Sequence, residues 1–163
     1  MICLAVDTWE FSPPMHRKTV IDSEVDINGH PAQSETPRRI LLVEDNVDNQ
    51  LLFRAYLKKV PCQLELAENG LIGVEKFQSV PYDLVLMDMQ MPVMDGYTAT
   101  QLIRQWEKAQ RRRLTPIVAL TANSLCAMAE KALEVGCTAY FIKPVPKETF
   151  IKLIVEYTGG REL

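Results

Sequence analysis

Ile40-Leu41-Leu42-Val43-Glu44-Asp45 and Leu84-Val85-Leu86-Met87-Asp88 share one construction: an unbroken apolar run that ends in carboxylates. A half-buried strand would alternate apolar and polar residues, and an amphipathic helix would repeat its apolar positions every three to four residues. An unbroken apolar run this short reads instead as a strand covered on both faces, the pattern of a parallel sheet between two helical layers. The acids at its end mark where the chain leaves the core.

Outward from these two runs the same alternation continues. Leu52, Phe53, Tyr56 and Leu57 follow the first run at helical spacing. Leu64-Glu65-Leu66 reads as a short, more exposed strand, as at a sheet edge. Leu71, Val74 and Phe77 suit a helix opened by Asn69-Gly70. After the second run, Ala99, Leu102, Ile103 and Trp106 share one helical face, and Asp95-Gly96 reads as a turn and helix start. Ile117-Val118-Ala119-Leu120 is a strand after Pro116. Leu125, Met128, Ala129, Ala132 and Leu133 form a helical stripe, with Ser124 as the N-cap and Gly136 as the stop. Ala139–Ile142 is a last strand, and Phe150, Ile151, Ile154 and Val155 mark a last helix. The result is five βα units, an α/β fold that is doubly wound, (βα)5, around a five-stranded parallel sheet.

The whole chain has 163 residues, 47% apolar and 24% charged, which excludes wholesale disorder, collagen-like repeats and coiled coil. No apolar run is long enough to span a bilayer, so no membrane contact is expected. The net charge of −3 lacks the basic excess of a nucleic-acid binder. Cys3, Cys62, Cys126 and Cys137 are too dispersed for a disulfide framework or a zinc site and read as buried free thiols in a reducing compartment, here the cytoplasm. Residues 1–37 differ in kind. They hold Pro13, Pro14, Pro31 and Pro37, six acids against Arg17 and Lys18, and no period. They read as an acidic, mostly flexible tail or linker, and not as a signal peptide, because Asp7 interrupts the short apolar run Ile2–Val6. The folded domain is expected over 38–160.

In open α/β sheets, ligands bind at the carboxyl ends of the strands. Here those ends carry Glu44-Asp45, Asp88, Thr121 and Lys143-Pro144. If the first and third strands are neighbours, three carboxylates converge, and each pair about 4 Å apart costs roughly 4 kcal/mol at an effective dielectric near 20. Such a cluster protonates or binds a cation, and oxygen ligands without His or Cys favour Mg²⁺. Two positive charges from the metal and one from Lys143 then neutralise three acids and admit an anionic phosphoryl group. A carboxylate nucleophile with a metal, a lysine and a hydroxyl is the equipment for forming an acyl phosphate. Each residue alone has a plainer reading. Glu44 and Asp45 suit a solvated strand end or helix cap, Thr121 a cap, Lys143 the surface, and Tyr140 the edge of the core.

Four segments carry a resemblance. Leu41-Leu42-Val43-Glu44-Asp45-Asn46, Asp83 through Gly96, Ala119-Leu120-Thr121-Ala122-Asn123 and Tyr140-Phe141-Ile142-Lys143-Pro144 resemble, in order and spacing, the signature segments of two-component response regulator receiver domains. The style of Val43-Glu44-Asp45-Asn46 and Asn49-Gln50 is most similar to receivers of hybrid sensor histidine kinases. The resemblance implies a flavodoxin-like sheet of order 2-1-3-4-5. It implies phosphorylation of Asp88, direct Mg²⁺ ligation by Asp45, Asp88 and the Gln90 carbonyl, and a role for Glu44 through water on the metal. It further implies phosphoryl contacts from Thr121 and Lys143, a switch of Thr121 and Tyr140, and a cis Lys143–Pro144 bond. A water near Gln90 and Asn123 would release the phosphoryl group. The donor would be a phosphohistidine on a histidine kinase or histidine-phosphotransfer protein, docking over the helix after Asn46 and the loop around Pro144. A weak homodimer is left open.

Other classes remain to be weighed. An aspartate-nucleophile phosphatase needs a second Asp two positions after the first, where this chain has Gln90. A nucleotide-binding enzyme needs GxxxxGK[ST] or GxGxxG, and neither is present. A phosphorylation-independent scaffold with the same fold is the alternative reading, although such domains usually lack an acid or the lysine. His16 and His30 lie outside any helical pattern, so no kinase dimerisation helix is expected, and no output module is expected after the last helix. Arg111-Arg112-Arg113 reads as a solvated helix end, and Met87, Met89, Met91 and Met94 as core or loop filler.

Overall fold

The computed structural model describes residues 37–122 and 126–158. The N-terminal segment, the expected N-cap Ser124, and Asn123 and Leu125 lie outside the described residues. The elements run β1 (Arg38–Val43), α1 (Val47–Leu57), β2 (Cys62–Ala67), α2 (Gly70–Ser79), β3 (Leu84–Asp88), α3 (Gly96–Ala109), β4 (Ile117–Thr121), α4 (Cys126–Glu134), β5 (Ala139–Ile142) and α5 (Lys147–Thr158). All strand pairs are parallel, in the order β2-β1-β3-β4-β5. The first and third strands are neighbours, as the convergence of the acids requires.

The unbroken apolar runs behave as read. Every residue of β3 and β4 is buried. Alternate residues feed two cores on opposite faces. Leu41, Val43, Val85, Met87, Ile117 and Ala119 pack with the α2 and α3 residues Phe77, Ala99 and Ile103. Ile40, Leu42, Leu84, Leu86, Val118 and Leu120 pack with the α1 and α5 residues Phe53, Leu57, Phe150 and Ile154. Burial of a large aliphatic side chain contributes about 1.5–3 kcal/mol, so this central slab dominates the fold's stability.

The edges depart from the reading. β5 alternates half-buried and exposed residues, with Ile142 45% exposed, because it has only one neighbouring strand. Leu52, Leu71 and Leu133, expected on packed stripes, are 42%, 42% and 45% exposed. In α1, α2 and α4 the buried stripe is narrower than the apolar face, and Phe53 and Leu57, Val74 and Phe77, and Ala132 occupy it.

Helix starts are capped locally. The Asn46, Asn69 and Asp95 side chains accept hydrogen bonds from first-turn N–H groups. Asp95 thus plays the turn role expected of it. Gly96 is required by a close approach: a Cβ there would run into the Asp88 carbonyl oxygen. α4 stops at Gly136, whose φ of +106° few other residues tolerate. Cys62 and Cys137 are free thiols, half-buried and buried, and burial pushes both up from the ordinary thiol range.

Candidate functional site

Glu44 and Asp45 leave the end of β1, Asp88 ends β3, Thr121 ends β4, and Lys143 follows β5. Because Val43 pairs with Met87 in parallel register, the next residues on each strand, Glu44 and Asp88, emerge side by side. One carboxylate oxygen each of Glu44, Asp45 and Asp88 lies within 4.8 Å of the others. Glu44 is fully buried, Asp88 is 4% exposed, and Asp45 is half-buried at the mouth.

Lys143 reaches this trio from the other side of the switch point. Its Nζ donates to Asp88 Oδ2 at 2.6 Å and to Glu44 Oε2 at 3.0 Å. Its backbone N–H donates to the Thr121 carbonyl at 2.7 Å, which ties the β5 end to the β4 end. The Lys143–Pro144 bond is cis. The plainer readings of single residues therefore fail for Glu44, which is no solvated strand end, and for Lys143, whose side chain is 15% exposed. Thr121 is 2% exposed. Tyr140 is 41% exposed, one strand over from Ala119, and so is not part of the core's edge.

The remaining oxygens are held by short local links. Asp88 Oδ1 accepts from the Gln90 N–H at 3.0 Å, while the Gln90 residue itself is exposed. Glu44 Oε1 accepts from Asn49 Nδ2 at 2.9 Å and from the Asn46 N–H at 3.3 Å. Gln50 Nε2 donates to the Glu44 carbonyl at 2.6 Å. Asn49 and Gln50 are positioning residues that periodicity does not single out. Their signal is a pair of amides on the first turn after an acidic strand end.

The electrostatics follow from this packing. Burial pushes the Glu44 carboxyl up from its ordinary value and the Asp88 charge adds to that, while the Asn49 and Lys143 hydrogen bonds oppose it. Burial alone would pull Lys143 down. The hydrogen bonds and charges of Asp88 and Glu44 outweigh it and hold the ammonium above its usual range. Three carboxylates face one ammonium, an excess of two negative charges that one divalent cation cancels. The donors are all hard oxygens, so the cluster can hold a metal of the Mg²⁺ kind.

This fold, with carboxylates and a lysine gathered at the switch point between β1 and β3, defines a receiver-type α/β domain. The family model for the response regulator receiver domain matches residues 40–155, and the chain belongs to that family, the receiver domains of two-component phosphorelays. It is 37% identical over 131 residues to the sensor protein GacS of Pseudomonas syringae, covering 80% of this chain. It is 45% identical over 121 residues to hybrid signal transduction histidine kinase G of Dictyostelium discoideum, covering 73% of this chain. The match spans only 14% and 4% of those relatives' own lengths.

Two solved structures bear on the site. One is the receiver domain of the sensor histidine kinase PA1611 from Pseudomonas aeruginosa, with a magnesium ion coordinated in its active site cleft. It is 36% identical with a TM-score of 0.68, and the match covers 77% of this chain and all of that one. The other is the receiver domain of Ssk1 from Saccharomyces cerevisiae, in complex with the histidine phosphotransfer protein Ypd1. It is 35% identical with a TM-score of 0.70, and the match covers 76% of this chain and 90% of that one. Among the described residues, no helix is long and apolar enough to cross a membrane.

Proposed function

We propose that this chain accepts a phosphoryl group on Asp88 from a phosphohistidine of a histidine kinase or histidine-phosphotransfer protein. An Asp88 carboxylate oxygen forms the new O–P bond while the P–N bond to the donor imidazole breaks, and the imidazole leaves with the bonding pair. Asp45, Asp88 and the Gln90 carbonyl would hold Mg²⁺, with Glu44 behind them, and the ion supplies charge neutralisation for the incoming phosphoryl oxygens. Lys143 supplies the second positive charge and Thr121 a hydroxyl toward the same oxygens. Thr121 and Tyr140 form the switch, Tyr140 turning inward from its exposed position as phosphorylation shifts an existing equilibrium. The observation that carries the reading is Lys143 Nζ held between Glu44 and Asp88 while Asp45 stays open at the mouth.

Residues 1–37 act as a tail or linker outside this chemistry, and the domain works in the cytoplasm. It catalyses its own phosphorylation and dephosphorylation, the latter through a water near Gln90 and Asn123. The test is intact mass after incubation with Mg²⁺ and a small phosphodonor. The expected result is one labile phosphoryl adduct that needs Mg²⁺ and is absent in Asp88→Asn. No adduct on folded native protein would favour the phosphorylation-independent scaffold instead.

A further inference from the structure

On the α1–α5 side of the sheet the two helices leave a groove of about 1000 Å³. Its floor is apolar: Tyr56 from the end of α1, Val60 from the following turn, and Ile151 and Val155 at an i, i+4 spacing on α5. The walls are held at fixed separation, because Phe53 stacks on Phe150 at 4.6 Å and Tyr56 meets the same ring edge-on at 5.8 Å. The rim is cationic. Lys58, Lys59, Lys147 and Lys152 border it, opposed by Glu148 and Glu156, which leaves a net charge of +2. Among the described residues, none of the four lysines is held in an ion pair.

We propose that this groove docks an acidic amphipathic helix of another protein, with its apolar ridge between Tyr56 and Ile151 and its carboxylates on the rim lysines. Charge complementarity selects the occupant. A second copy seated face to face would set one cationic rim against another, and a nucleic acid would leave the apolar floor uncovered. The apolar i, i+4 ridge of Ile151 and Val155 on α5, set beside Tyr56 and Val60, lines a trough that matches the ridge of a third helix. None of the groove residues belongs to the carboxylate–lysine cluster, so docking here does not depend on the Asp88 chemistry.

The test is fluorescence anisotropy of the full chain with a labelled synthetic amphipathic peptide, leucines at helical spacing flanked by glutamates. A twin with lysines in place of the glutamates is the control. The expected result is saturable binding of the acidic peptide that weakens with salt, at least about tenfold weaker binding by Lys59→Glu/Lys152→Glu, and weaker binding again by Ile151→Ser. Asp88→Asn binds as the native chain does, which separates this docking from phosphoryl acceptance. Far-UV circular dichroism shows that each variant is folded, and Ile151→Ser, which alters no charge, tests the floor independently of the rim. Equal affinity for the lysine twin, or unchanged affinity in the charge-reversed variant, overturns the proposal. So does a native chain that sediments as a dimer while Lys59→Glu/Lys152→Glu is monomeric, or one that binds phosphatidylglycerol vesicles and not the peptide.

Discussion

Arg104 with Glu107, and Lys143 with Glu44, Asp45 and Asp88, are two clusters of largely buried charge at opposite ends of the sheet. The first is balanced. Glu107, fully buried, accepts from Arg104 Nη1 at 2.6 Å through one oxygen and from the Thr115 N–H at 2.7 Å through the other. Arg104 also donates from Nε to the Gly136 carbonyl and from Nη1 to the Thr115 carbonyl, both at 2.9 Å. One cation meets one anion, and together they tie α3 to the residues before β4 and β5. The second cluster is unbalanced, with three acids to one lysine. A balanced cluster holds a fold, whereas an unbalanced one keeps a deficit that an incoming cation fills.

The sharpest way to break this contrast is to remove the cation from each cluster. Arg104→Met strands the buried Glu107 charge and is expected to cost about 3–5 kcal/mol in urea denaturation, with no recovery on adding Mg²⁺. Lys143→Met also destabilises, but here Mg²⁺ is expected to restore stability, because the three carboxylates it leaves form a cluster that can hold a divalent cation. Recovery of Arg104→Met by Mg²⁺ would erase the distinction between the clusters.

The next effect belongs to the native chain. Mg²⁺ at a hundred times its dissociation constant should stabilise the fold by about 2.7 kcal/mol, read as a rise in Tm that chelation with EDTA reverses. Asp45→Ala removes the half-buried carboxylate at the mouth of the cluster and should lose most of that rise. An unchanged rise would place the ion elsewhere.

The central strands, their acidic ends and the lysine after the last strand were legible because the rules behind them are local: an unbroken apolar run, then a charge. The Arg104–Glu107 cluster was not. Arg and Glu three residues apart on a helix read as an exposed pair, and the groups that bury them, Thr115 and Gly136, arrive from two separate loops. Leu52, Leu71 and Leu133 misled for the opposite reason: periodicity shows which face of a helix is apolar, but not how wide a stripe the sheet covers. Asn49 and Gln50 fell between the two cases, polar residues in a first helical turn whose target, Glu44, becomes visible only when the turn is built.

The pH dependence sharpens the comparison further. A carboxyl raised above its unfolded value of 4.5 binds its proton more tightly in the folded state, and Glu44 is such a group. Its favourable contribution is complete below pH 4.5 and is lost as pH rises through the raised value. Glu65, away from the site, is lowered chiefly by the Tyr82 hydroxyl bonded to it, so its contribution is present above pH 4.5 and is lost as pH falls. In Mg²⁺-free buffer, Glu44→Gln should therefore gain on the native chain as pH rises from 4.5 toward neutrality, whereas the deficit of Glu65→Gln should stay level over that range and shrink only as pH falls below 4.5. Parallel curves for the two variants would mean that the buried Glu44 carboxylate is no more strained than an ordinary paired one.

The smallest effect tests a charge that belongs to neither cluster. Arg111, Arg112 and Arg113 are exposed after the end of α3, and the Arg112 guanidinium lies 5.0 Å from the centre of the Trp106 ring. An exposed cation over an aromatic face contributes about 0.5–1 kcal/mol. Arg112→Ala should cost no more than that in urea denaturation and leave both the Mg²⁺ stabilisation and the phosphoryl adduct unchanged. Trp106 packs edge-on against Phe77 of α2 at 5.8 Å, and its half-buried ring keeps that contact when the guanidinium is gone. A change in Mg²⁺ response on losing Arg112 would mean that charge at the far end of α3 reaches the carboxylates through the helix. The carboxylate excess would then no longer be a property of the site alone.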